Sequence, residues 1–121
     1  MEAIMITAPL LGIVQETGDA VITLLGDQDQ GELLASVATR AEVAQQLSAL
    51  ASVMRSAPDK LVKAMPEVDW AGWAGVGVSL RFPGPAFEDA LWFGAHALVP
   101  HTLARLAEYR QSRPELFRWW G

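Results

Sequence analysis

The chain has 121 residues, enough for one domain that buries roughly two thirds of its unfolded surface. With no cysteine, it can hold neither a disulfide framework nor a thiolate metal site, and it suits a reducing cytoplasm. Nine basic against fourteen acidic residues, a net charge of −5, argue against a broad nucleic-acid surface but leave room for a local basic cleft, so RNA is not an expected partner.

Apolar residues make up 51 % of the chain and the mean hydropathy is +0.21. That is rich for a soluble monomer: either the core is large for the chain or apolar surface is left over for a partner, and the second reading is favoured because surplus apolar surface usually marks an interface. The N-terminus carries Glu2 and no basic segment, so it does not read as a signal peptide. No unbroken apolar run reaches the ~18 residues of a membrane span.

The first periodic segment is Ile4 to Leu25, where Leu10, Ile13, Val14, Val21, Leu24 and Leu25 recur at helical spacing. Pro9 is expected in its first turn, and Gly12 and Gly18 weaken it. Gly26 to Gly31 is polar, with glycine at both ends, and reads as a loop. The second helix, Glu32 to Arg55, carries Leu33, Val37, Ala41, Ala44, Leu47, Ala51 and Met54 at steps of three and four. Ser56 is a candidate N-cap for a short helix from Pro58 to Ala64, which stops before Pro66.

Asp69 is a candidate cap for Trp70 to Leu80, a segment apolar nearly all round that is expected to be buried on several sides. Arg81 to Pro85 is a loop by composition. The last long helix, Phe87 to Gln111, has its stripe at Leu91, Ala95, Leu98, Thr102, Leu106 and Tyr109, and Pro100 should kink it. The tail, residues 112–121, ends in aromatics. There is no β alternation, repeat or linker. The expected fold is one all-α domain over 1–121: an antiparallel bundle of four main helices plus one short helix.

The order of features from Thr39 to Leu106 resembles the HepT family of the HEPN superfamily. Thr39-Arg40 opens an Ala/Leu-rich helix. Lys60 to Trp70 resembles a short helix followed by the family's Pro-acidic-aliphatic-Asp-Trp lead-in to its active-site helix. Ala74-Gly75-Val76 resembles the triplet before the family's catalytic arginine. Phe87 to Trp92 and Leu98-Val99-Pro100 resemble the final helix. The resemblance implies a HEPN-like bundle, a homodimer, a prokaryotic toxin–antitoxin setting and a nucleotidyltransferase-type antitoxin as partner.

It also implies a metal-independent ribonuclease motif: arginine, four residues, histidine, one residue, tyrosine. Placed from Asp69-Trp70, those positions are Gly77, Phe82 and Gly84. None can act as a general base, hold a fixed cation or, by the resemblance, accept the AMP that silences the family. The expectation is a protein without ribonuclease activity that works through homodimerisation and association. Two alternatives stand: an active ribonuclease with a relocated site, and a generic helical adaptor.

Arg81, His96 and His101 are the candidates for a relocated site. Arg81 could hold a phosphate but cannot be a base, and it also suits a helix C-terminus. The two histidines are five apart, about 140° around a helix, so they read as structural rather than as a metal pair. Glu88 and Asp89 read as acids of a first helical turn. Gly72, Gly75 and Gly77 make one helix small-sided; close packing at a homodimer seam or within one subunit both account for that. Trp70, Trp73, Gly75, Gly77, Trp119 and Trp120 are the candidate interface residues, with folding back of the tail as the alternative for the last two. No metal site and no cofactor are expected.

Overall fold

Local signals start and stop each helix, and the computed structural model describes the result for residues 2–117. The order is α1 (Glu2–Leu25), α2 (Gln30–Ala35), α3 (Val37–Arg55), α4 (Asp59–Ala64), α5 (Trp70–Ser79), α6 (Pro85–Phe93), a π-helical segment (Gly94–Leu98) and α7 (Val99–Ser112), with a 3₁₀ turn at Pro114–Phe117. The chain is an all-α helical bundle, with no strand among the described residues. Two short helices, rather than one, accompany the main ones.

α1 packs on α3 and α7 through Leu10, Leu11, Val14, Val21 and Leu25, all buried. Ala8–Leu25 has the length and composition of a membrane span, yet this stretch supplies part of the core. Pro9 lies inside α1, not in its first turn, because the helix already begins at Glu2. Gly18 lets α7 come close, since a Cβ there would lie 3.0 Å from Leu103. Gly26, at φ +53°, ends the helix in the left-handed conformation that suits glycine.

The expected loop 26–31 is shorter than its composition suggests. Asp29 caps α2, accepting from the Glu32 N–H at 2.8 Å, while the Glu32 carboxylate accepts from the Asp29 N–H at 3.0 Å. The expected helix 32–55 breaks at Ser36, whose backbone is extended. The Arg40 guanidinium then donates to the Leu34 carbonyl at 3.2 Å, closing the end of α2.

This break resets the stripe. Val43, Leu47, Leu50, Ala51 and Met54 face the core. Val37 is 69 % exposed and Ala41 is exposed, against the expected stripe. Ser56 does not start the short helix: its hydroxyl donates to the Val53 carbonyl at 2.7 Å and closes α3, and Pro58 stands at the head of α4.

The final helical run follows its expected stripe. Leu91, Ala95, Leu98, Thr102 and Leu106 are all buried. Its irregularity precedes Pro100: the Val99 N–H donates five residues back to the Gly94 carbonyl, a π-type turn. Proline has no N–H to continue the α pattern there. Gly94 faces Leu47, which a Cβ would meet at 3.0 Å. The 3₁₀ turn folds back on α1 and α7, with the Arg110 guanidinium 4.8 Å above the Phe117 ring.

Candidate functional site

The segment that the resemblance points to is α5 with the loop after it. Asp69 caps the helix, its carboxylate accepting from the Gly72 N–H at 2.8 Å. The Trp70 indole donates to the Met65 carbonyl at 2.9 Å, which ties the lead-in to the helix. Replacing Asp69 with alanine should cost about 1 kcal/mol in urea unfolding, while asparagine should keep most of the cap. A variant as stable as the parent would mean that the cap contributes nothing.

Only Trp73 and Val76 of α5 are buried. The expectation of a helix buried on several sides therefore fails: Ala71, Ala74, Gly75 and Val78 are exposed. An all-round apolar pattern cannot indicate which face meets the core. Trp73 is 1 % exposed, inside the chain, where its indole donates to the Thr102 hydroxyl at 3.0 Å. That hydroxyl donates on to the Leu98 carbonyl at 2.7 Å. This buried chain holds α5 to the final helix.

The glycines of α5 divide by role. Gly77 packs within the chain, its position for a Cβ lying 3.2 Å from the Ala51 side chain. At Gly72 a Cβ would collide with the capping carboxylate of Asp69, and Gly75 opens to free space. Phe82 is 72 % exposed, and Gly84 sits at φ +135°. All three motif-equivalent positions thus carry inert groups, and two of them have backbone or packing demands of their own.

Arg81 lines a groove between α3 and α5 of about 290 Å³. Its other polar lining groups are Ser48, Ser52 and Arg55. His96 lies elsewhere. It lines a cavity of about 430 Å³ with Ile22, Asp27, Gln28 and Trp92. Its Nδ1 is 2.8 Å from the Trp92 carbonyl and its ring stacks on the Trp92 ring at 4.2 Å. His101 is exposed and lines neither cavity. The structure therefore does not bring Arg81 together with either histidine.

Glu88 lies in the first turn of α6, while Asp89 lines an open groove between α5 and α6. That groove includes Gly75 and Phe93. Trp119 and Trp120 lie outside the described residues. Among the described residues no group of three His, Asp or Glu side chains is placed to hold a metal ion.

Arg55 was not singled out from the sequence. The signal was present: Ser48, Ser52 and Arg55 follow steps of four and three, which put them on one helical face. What α5 adds opposite that face is not visible in the sequence. No family model matches the chain, and neither a curated protein nor a solved structure does so.

Proposed function

We propose that the chain is a diverged HepT-like protein of the HEPN superfamily that has lost ribonuclease activity and acts through homodimerisation and association with a partner. The observation that carries this reading is the α5 segment. It keeps the Asp69-Trp70 lead-in, with Asp69 as its cap, but presents Gly77, Phe82 and Gly84 at the motif positions. A HEPN-like bundle built this way would be a cytoplasmic member of a prokaryotic toxin–antitoxin pair, with a nucleotidyltransferase-type protein as its partner.

Exposed apolar groups near this segment support the association. Phe82 is largely exposed, Val78 is 59 % exposed and Phe93 is 41 % exposed. Gly75 is open beside them, so a second helix could come close without meeting a side chain. The mechanism is docking of apolar surface, with Gly75 allowing a short approach distance.

Light scattering of the purified chain is expected to give twice the 13.1 kDa of one copy. Phe82→Glu combined with Phe93→Glu should shift it to the single mass while the helical circular dichroism stays the same. A parent chain that is strictly monomeric would sink the reading. Incubation with total RNA and tRNA should give no cleavage. Cleavage that disappears in Arg81→Ala or His96→Ala would instead establish the relocated ribonuclease.

A further inference from the structure

Six of the chain's arginines lie within the described residues, and four of them have a partner on the protein. Arg40 donates to the Leu34 carbonyl at 3.2 Å. Arg105 pairs with Glu108 at 3.0 Å and Arg113 with Glu115 at 2.7 Å. Arg110 lies over Phe117. Among the described residues, Arg55 and Arg81 alone have no ion pair, hydrogen bond or ring contact.

Both of these arginines line the same groove, between α3 and α5. Residues 70–74 of α5 meet the Arg55 end of α3, and residues 80–81 share the groove with Ser48, so the two cations enter from opposite ends. Ser48 and Ser52 put two hydroxyls on the α3 wall between them. Among the described residues no carboxylate lines this groove, although the chain carries fourteen acidic residues. Asp59 lines the adjoining cavity, whose wall Arg55 shares.

Arginine near a helix C-terminus is ordinarily accounted for by the dipole or by bonds to the last carbonyls. Arg40 makes such a bond; among the described residues Arg55 and Arg81 make none, which leaves the dipole alone to favour them at their helix ends. Two cations facing one groove, over an apolar floor of Ala51, Ala74 and Gly77, create a local positive field in an acidic protein. A guanidinium presents a planar fork of donors that fits phosphoryl oxygens.

We propose that the α3–α5 groove binds a small phosphorylated compound, held by Arg55 and Arg81 from its two ends and by the Ser48 and Ser52 hydroxyls from the side. A phosphoryl group offers acceptors enough for both guanidinium groups and both hydroxyls, more than one carboxylate does. A polymeric nucleic acid is disfavoured, because the net charge of −5 repels a long polyanion while a groove of about 290 Å³ admits a small one.

The test is titration of the full-length chain with inorganic pyrophosphate at constant ionic strength, followed by amide NMR shifts. Saturable shifts are expected in 48–55 and 74–81. Arg55→Gln and Arg81→Gln should each weaken binding about tenfold, and the double variant should abolish it, with circular dichroism matching the parent. Absence of saturable shifts overturns the proposal, as does binding that survives in the double variant. Citrate binding where pyrophosphate does not would overturn the phosphoryl assignment. A short single-stranded RNA that binds more tightly than pyrophosphate would overturn the small-ligand assignment.

Discussion

Replacing Trp73 with alanine is expected to destabilise the protein by about 4 kcal/mol, the range for emptying a buried tryptophan site. The ring is 1 % exposed in the core and its N–H has one partner, the Thr102 hydroxyl at 3.0 Å. Truncation opens a cavity between α5 and the final helix and removes that bond. Thr102→Val isolates the second effect. It keeps the volume and leaves the indole N–H buried without an acceptor, which should cost about 1–3 kcal/mol. The double variant should lose less than the sum, because both changes remove the same bond. Chemical unfolding followed by circular dichroism measures all three. A loss below about 1 kcal/mol for Trp73→Ala would show that the packing drawn here is wrong.

The second large effect concerns the motif positions. Introducing the residues of the HepT motif, as Gly77→Arg, Phe82→His and Gly84→Tyr together, should cost about 4 kcal/mol if the strain at the two glycines adds. Phe82 is largely exposed and should contribute little. Gly84, at φ +135° and ψ −170°, occupies backbone space that a side chain makes strained. No atom lies within 4 Å of a Cβ there, so the cost comes from the backbone alone. Gly84→Ala and Gly84→Tyr should therefore destabilise alike, by about 1–3 kcal/mol.

Gly77→Arg places a Cβ 3.2 Å from Ala51, and α3 must yield slightly to take it. If the triple variant unfolds at the same urea concentration as the parent, these positions are not constrained as the geometry implies. The difference from the HepT motif would then be one of side chains alone. If the cost is as large as expected, backbone and packing suit glycine at these positions, and introducing three side chains would not by itself build the HepT site.

Much of the bundle was legible because it rests on short-range physics. The place of Asp69 before an apolar run marks it as a cap, and spacing alone marks the stripe from Leu91 to Leu106. Both follow from contacts between residues three or four apart, so no distant partner is needed to see them. Ser56 and Ser36 show the limit of the same reasoning. Each serine can close one helix or open the next, and the competing carbonyls decide. Ser56 bonds backward to Val53, and Ser36 interrupts what reads as one continuous helix.

The candidate site was less legible. Arg81 was recognised and Arg55 was not, since the groove they share exists only once α5 lies against α3. Trp73 read as an interface residue because an all-apolar helix has no marked face, and a burial pattern without contrast carries no direction.

By itself the sequence determined the helical class, the places where most helices stop and the absence of a ribonuclease triad at the positions the family would use. Those depend on local capping, helical period and residue identity. Tertiary structure alone decided which side of α5 is covered, that Trp73 hangs on Thr102, that Arg81 and His96 line separate cavities, and that Arg55 and Arg81 line one groove. Such facts depend on contacts between residues far apart in the chain. Close packing selects them among many arrangements that local pattern leaves equally open.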